Sequence, residues 1–268
     1  MKSLLRWAGS KRQLISQLKS YWDVDPTRRY VEPFAGSAAL FFHVEPARAI
    51  ISDLNLELIY FYRTIKRFPA DVYAAASRYA VNEKTYYKIR ESLPNENDPI
   101  RKSAMFYYLN RYCFNGIYRT NSLGHFNVPF SGINNGAFPA WEEFNSGVKA
   151  LRKASTACMD FETIIDKNVT SHDFVYLDPP YAVSNRRVFR QYNAQSFGLK
   201  DIQRLSEVLD EIDRRNAKFV LSYALCKESL KHFSKWINRR IQCQRNVSGF
   251  AKNRRKAVEL IVTNISIA

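Results

Sequence analysis

Apolar positions along the chain repeat with two different periods, and the switches between them mark its organisation. Leu14, Ile15 and Leu18 stand at helical spacing within residues 11–22. Arg29-Tyr30-Val31-Glu32-Pro33 reads as a short strand that enters a glycine-containing turn. Ser37-Ala38-Ala39-Leu40-Phe41-Phe42 predicts a helix start with Ser37 near the cap position, and residues 47–52 predict a second strand ending at Asp53. Strand, helix, strand is the unit of a parallel α/β sheet, because parallel neighbours need a long crossover between them.

From about residue 56 to 114 the pattern turns helical and tyrosine-rich, without a buried-strand signature. Asn110 to Ser131 carries the glycines, asparagines and aromatics of a hairpin or ordered loop. Alternation of strand and helix then resumes. Phe174-Val175-Tyr176-Leu177 is a compact apolar strand ending at Asp178, and Ile202, Leu205, Leu209 and Ile212 mark one face of a helix. Residues 217–222 predict the next strand, and residues 240–247 and 258–265 a closing antiparallel pair. The expectation is an α/β domain made of residues 1–55 and 140–268, interrupted by a mainly helical insertion at 56–139 that carries the hairpin.

Composition changes the picture mainly through charge. Forty-six per cent of the 268 residues are hydrophobic, enough for a packed core, while 41 basic against 25 acidic residues leave a net charge of +16. Such a surplus suits a polyanion, since each neutralised phosphate releases counterions. No run approaches the roughly 18 apolar residues of a membrane-spanning helix, so no membrane partner is expected. The start, Met1 to Trp7, reaches charged residues too soon for a signal peptide. Cys113, Cys158, Cys226 and Cys243 are far apart, as are the four histidines, which predicts reduced thiols and no metal site. A cytosolic protein acting on nucleic acid follows.

The most informative chemistry is Asp178-Pro179-Pro180-Tyr181, directly after a predicted strand. Four fixed residues recur by chance about once per 10^5 positions at ordinary residue usage. Two prolines could simply end a strand, but the four types together serve one reaction. An exocyclic amine on a purine is a poor nucleophile, because its lone pair is delocalised into the ring. A carboxylate from Asp178 and a backbone carbonyl, that of Pro179, can accept both N–H hydrogens and favour a tetrahedral nitrogen. The prolines stiffen the turn and withdraw donors. Tyr181 supplies a flat face for a base taken out of its stack. Orientation and preorganised acceptors would do most of the work, the reactive methyl coming from a cofactor.

With these residues in view the chain resembles the adenine-N6 DNA methyltransferases of the Dam family. The resemblance rests on Arg6-Trp7-Ala8-Gly9-Ser10-Lys11, Glu32-Pro33-Phe34-Ala35-Gly36, Asp53, the run from Leu109 to Gly116, Phe126 to Phe130, and Asp178 to Tyr181, in the family's order. It implies a Rossmann-like methyltransferase sheet with helices on both faces, S-adenosyl-L-methionine as cofactor and double-stranded DNA as partner. A cognate restriction endonuclease acting in trans is a candidate partner, the chain is expected to act as a monomer, and the setting implied is a bacterial or phage-infected cytosol.

Phe34-Ala35-Gly36 lies where a strand turns into a helix, so backbone can approach a ligand there, and an acid such as Asp53 commonly binds ribose hydroxyls. The resemblance adds Trp7, Lys11 and Asp178 to the residues around the cofactor. Relatives often carry a second glycine where this chain has Ala38; alanine is accommodated if the backbone there is helical. In the recognition segment the resemblance assigns Arg119 to reading a guanine and Phe114 to wedging into the stack. Asn115 is assigned to the vacated place, Pro129 to a thymine methyl, and Arg6 to the first base. Arg111 and Asn127 belong to the same segment and are likewise expected to contact DNA. Plainer roles stay open: Phe114 in a core, Asn115-Gly116 as a turn, Arg119 on a phosphate. The implied site is GATC, although Phe130 is followed by Ser131-Gly132-Ile133 where relatives continue with an aromatic and an arginine. Arg186, Arg187 and Arg190, and Arg245, Lys252, Arg254, Arg255 and Lys256, are expected phosphate contacts.

Three other readings share parts of this pattern. An RNA adenine-N6 methyltransferase would share the catalytic motif and the charge, and is separated by comparing transfer to duplex DNA and to RNA. A protein-glutamine methyltransferase fits less well with Asp178 and the basic surplus. A catalytically silent DNA-binding relative would fail to bind the cofactor.

Overall fold

Short runs of buried residues form the centre of the molecule. The computed structural model describes residues 1–9, 11–132, 138–181, 197–244 and 256–267, with the side chains of Gln244, Lys256 and Ala257 left aside. Strands β1 (Arg29–Glu32), β2 (Ala49–Ser52), β3 (Ala154–Ala157), β4 (Asp173–Leu177) and β5 (Lys218–Ala224) run parallel. Strands β6 (Ile237–Gln244) and β7 (Lys256–Thr263) close the sheet antiparallel, giving the order β3-β2-β1-β4-β5-β7-β6. In register, Val31 lies between Ile50 and Val175, so the apolar runs coincide across the middle of the sheet.

Alternation along each strand decides which helices cover which face. Tyr30, Phe174, Tyr176 and Val220 share one core with α1 (Ile15–Trp22), α2 (Ala39–Val44), α3 (Leu56–Arg67) and α7 (Trp141–Leu151). Val31, Val175, Leu177, Phe219 and Leu221 share the other with α8 (Phe161–Asn168), α9 (Leu199–Arg214) and α10 (Lys227–Phe233). In α9 the Asp201 carboxylate accepts the Gly198 N–H at 2.8 Å, satisfying a donor at the helix start. Its buried face of Ile202, Leu205, Val208, Leu209 and Ile212 contributes about 1.5–3 kcal/mol per side chain. Leu205→Asp would break it.

Helices α4 (Pro69–Ser77), α5 (Glu83–Ser92) and α6 (Pro99–Tyr112) follow α3. Tyr86, Ile89, Tyr108, Tyr112 and Val128 pack into a third core, under the segment that returns from α6. This segment is a hairpin whose arms meet at the isolated bridges Cys113–Phe130 and Thr120–Phe126, rather than a regular ladder. The backbone before α1 forms a strap. It is tied by Met1 to Phe42 at 3.0 Å, and Leu4 lies so close to Gly147 that an added Cβ there would meet it at 2.5 Å.

Two local expectations are corrected. Ser37 lies next to the cap position of α2 but does not fill it: that position is Ala38, whose side chain can accept no cap bond and whose backbone stands at φ +50°, ψ +44°. The backbone there is left-handed, not helical as an alanine would prefer. The strand expected at 240–247 begins at Ile237, and residues 245–247 lie outside the described part. Strand β3, Ala-Ser-Thr-Ala, was not expected at all. Among the described residues no helix is long and apolar enough to cross a membrane.

Candidate active site

The turn after β4 is built by the sheet itself. Leu177 pairs with Leu221, so the next residues out, Asp178 and Ser222, emerge side by side. The Ser222 hydroxyl donates to Asp178 Oδ1 at 3.2 Å and lies 3.1 Å from the Tyr176 hydroxyl. Lys11, brought in by the strap, places Nζ 2.6 Å from the same Oδ1. Pro179 is buried and Pro180 exposed, so one proline anchors the turn and the other forms its outer surface. Tyr181 donates its hydroxyl to both carboxylate oxygens of Glu259, each at 2.8 Å, and takes the edge of Tyr223 against its ring. Lys11 Nζ also lies 4.9 Å from the Tyr181 ring centroid, within cation–π reach.

Charges in this cluster control one another. Burial pushes the Asp178 carboxyl above its ordinary range, and the Lys11 ammonium opposes that shift. Burial works against the Lys11 charge, yet Asp178, Tyr181 and Glu259 outweigh it and hold the ammonium protonated. Behind them Glu32, buried on β1, accepts from Tyr30 at 3.0 Å, and burial raises it well above the usual carboxylate range.

The second cluster surrounds the turn after β1. Gly36 stands at φ +47° and donates its N–H to Asp53 Oδ2 at 2.9 Å, while Asp53 Oδ1 accepts from Asn55 N–H at 2.9 Å. Tyr62 donates to the Gly36 carbonyl from below at 2.8 Å. A Cβ on Gly36 would meet the Trp7 ring at 2.8 Å, so glycine serves both the dihedral and the close approach of the indole. Trp7 in turn stacks on Tyr118 at 5.6 Å. Phe34 points elsewhere, stacking on Phe161 at 5.1 Å and meeting the edge of Phe197 at 6.2 Å.

The residues expected to contact DNA lie in the hairpin and, for Arg6, on the strap beside it. Arg6 is held by the Asn110 side chain, which accepts from its N–H at 2.9 Å and donates to its carbonyl at 2.7 Å, as a paired strand would. Its guanidinium donates to the Arg111 carbonyl at 2.8 Å, and burial lowers its pKa. Phe114 is 39% exposed rather than part of the core, although its backbone is pinned to Pro129 at 3.0 Å. Asn115 is exposed and left-handed at φ +53°. Pro129 is exposed at the same end, and Arg111 is half-buried. Arg119 donates through Nε to Asn127 Oδ1 at 2.7 Å.

The strap thus brings Trp7 and Lys11 to the two turns, and Asp178, Tyr181, Gly36 and Asp53 all stand at the same end of the sheet. Arg119, Asn127 and Pro129 belong to the separate hairpin. Ser222, Tyr118 and Glu259 are participants that sequence reasoning missed, while Asn110 and Tyr176 stood in a quoted motif and strand without a role at the site. Glu259 had a signal, a lone acid inside the apolar run Val258-Glu259-Leu260-Ile261-Val262. The expected basic contacts Arg186, Arg187, Arg190, Arg245, Lys252, Arg254 and Arg255, together with Ser10, lie outside the described residues, as does the side chain of Lys256. Among the described residues no group of three or more His, Cys, Asp or Glu side chains could hold a metal.

A carboxylate set beside an ammonium and a hydroxyl, on a turn at the end of a central strand, suits the methylation of an amine. The sequence matches the family model of D12 class N6 adenine-specific DNA methyltransferases over residues 7–248, and the chain belongs to that family. It is 32% identical to the type II methyltransferase M1.LlaDCHI of Lactococcus lactis subsp. cremoris, covering 98% of this chain and 95% of that protein. It is 32% identical to the type II methyltransferase M.MjaIII of Methanocaldococcus jannaschii, over 83% and 84%. With the DNA adenine methylase of Escherichia coli K12 the identity is 30%, over 97% and 94%. The chain is an adenine-specific DNA methyltransferase.

Proposed function

We propose that the chain transfers the methyl group of S-adenosyl-L-methionine to N6 of an adenine rotated out of duplex DNA, at the site GATC. The observation that carries the chemistry is the way Asp178 is held. Both of its hydrogen bonds among the described residues, from Lys11 and Ser222, fall on Oδ1, which leaves Oδ2 for an incoming amine. The Pro179 carbonyl is the second acceptor. Between them they take the two N–H hydrogens and turn the nitrogen lone pair outward. Tyr181, locked at its hydroxyl by Glu259, offers the base a ring that does not rotate away.

The residues fit the cofactor. Among the described residues Asp53 accepts from backbone N–H groups and no cation pairs with it, so a carboxyl that burial pushes above its ordinary range is left for a ribose diol. Asp53 and Gly36 would hold the ribose end, and Trp7, Lys11 and Asp178 the methionine end. When bound, the cofactor supplies a methyl group on a sulfonium, an electrophile that needs no metal. Asp178 and Asp53 would add negative charge near that cation, and the Lys11 ammonium favours the ionised form of Asp178 against its burial.

The exposed Phe114, the left-handed Asn115 and the exposed Pro129 support entry of the hairpin into DNA, with Phe114 wedged into the stack and Asn115 at the place the displaced base leaves. GATC rests on the family pattern of Arg6, Arg119 and Pro129. Incubating unmethylated DNA with the protein and labelled S-adenosyl-L-methionine, then mapping methyladenine at single-base resolution, tests the whole reading. Methyladenine confined to GATC is expected. Another site would discard the specificity and keep the enzyme, and transfer to RNA alone would overturn the substrate. Asp178→Ala should abolish transfer and leave DNA binding within about threefold, since the carboxylate contributes to orienting the amine and not to gripping the duplex.

A further inference from the structure

The contact between Arg119 and Asn127 is more specific than a hairpin needs. Asn127 N–H donates to the Arg119 carbonyl at 3.0 Å, an ordinary backbone bond between arms. In addition Arg119 Nε donates to Asn127 Oδ1 at 2.7 Å, and Nη2 donates to the Asn127 carbonyl at 3.2 Å. One residue thus occupies the whole side edge of the guanidinium, the Nε/Nη2 edge. A guanidinium is a planar fork with five N–H donors. With its side edge held, three donors are left, and two of them, at the Nη1/Nη2 end, are parallel N–H groups at the spacing of guanine O6 and N7.

Asn127 is well placed to impose this geometry. The following residue, Val128, is buried in the third core, and its carbonyl accepts from Tyr86 at 2.9 Å and Arg90 at 3.3 Å. Arg119 follows Tyr118, which is stacked on Trp7. The turn between the arms is closed by Asn121, whose side chain accepts from Leu123 and His125 N–H at 3.0 Å each. Asn127 therefore sits on the arm fixed to the helical core, and the flexible partner in the pair is the arginine.

We propose that Asn127 is a positioning residue for base recognition: it holds the side edge of Arg119 and presents the end edge to a guanine in the major groove. This rests on Arg119 reading a base, and it replaces the simpler idea that Asn127 itself touches DNA. In a long, freely rotating side chain the fork would sample many directions. Held at two donors it meets one base edge, and the wrong base leaves the remaining donors unpaired.

The test is kcat/KM of the full-length protein on a set of duplexes in which each base pair of the mapped site is replaced in turn. Arg119→Ala should flatten discrimination at one G·C pair, by about 10- to 100-fold. N127A should flatten the same position by about tenfold, the size of one lost hydrogen bond to a charged group. In the R119A background N127A should add nothing at that position. N127D keeps the acceptor oxygen and should keep the discrimination, while its added negative charge lowers affinity on all duplexes alike. If R119A flattens a position and N127A does not, the positioning role is wrong and the base reading stands. N127A lowering activity equally on every duplex, additively with R119A, would make Asn127 a backbone contact and also overturn the role. Should R119A itself leave every ratio unchanged, the reading beneath it fails first.

Discussion

Asp178 and Ala38 show how single residues are bent to the site. In the proposed reaction Asp178 accepts an amine N–H best when ionised, yet burial raises its pKa, and the Lys11 charge opposes that shift. Removing that charge shifts the equilibrium toward the neutral acid, so Lys11→Met should move the acid limb of the kcat/KM profile to higher pH. Profiles measured at saturating cofactor would show it, and an unmoved limb would separate Lys11 from the catalytic proton. Ala38 is a conformational oddity of a different kind. Its left-handed backbone costs an L-residue about 1–2 kcal/mol. Ala38→Gly would relieve that strain, lose about 0.8 kcal/mol of buried methyl and add chain entropy to the unfolded state. The sum is near zero, where an ordinary buried helical alanine would lose more than about 1 kcal/mol. Urea denaturation of the A38G variant should therefore give a stability within about 0.5 kcal/mol of the parent. Asp178, Lys11 and Asp53 were legible because their chemistry is written in residue type and motif. The strain at Ala38 was not, because a dihedral angle is set by how the turn must close and not by the alanine.

At the scale of elements, the strands with continuous apolar runs were readable, since β1, β2, β4 and β5 are buried on both faces. Strand β3 escaped because an edge strand of Ala, Ser and Thr exposes much of one side and needs no hydrophobic run. Nor does any local pattern reveal the strap, whose meaning lies in contacts about a hundred residues away. Asn110 imitates a neighbouring strand for Arg6, and the Ala8 N–H donates to the Gly116 carbonyl at 3.0 Å. Asn110→Ala deletes two hydrogen bonds at a buried position and should cost about 2–3 kcal/mol. Because Trp7 and Lys11 ride on the same strap, the N110A variant should also bind S-adenosyl-L-methionine more weakly. Equilibrium denaturation and calorimetric titration measure the two effects. Normal cofactor affinity in a destabilised protein would show that the strap is held well enough by its other ties.

For the whole molecule the dominant property is the net charge of +16. A protein that neutralises six phosphates loses about 10^3-fold in affinity between 50 and 200 mM salt. Duplex binding measured across that range should fall by at least that much, and a flat response would leave the charge without its expected partner. The arrangement of the sheet carries a different consequence. Strand β7 is seated between β5 and β6, and Glu259 reaches from it to Tyr181. While the ribosome is still translating residues 218–244, the open edge of β5 has no neighbour and Tyr181 has no clamp. Only when residues 256–263 have emerged can the sheet close. Vectorial synthesis therefore completes the Asp178–Tyr181 turn after the hairpin of residues 113–130, and a polypeptide released before that strand is made would carry the hairpin without Glu259 on Tyr181.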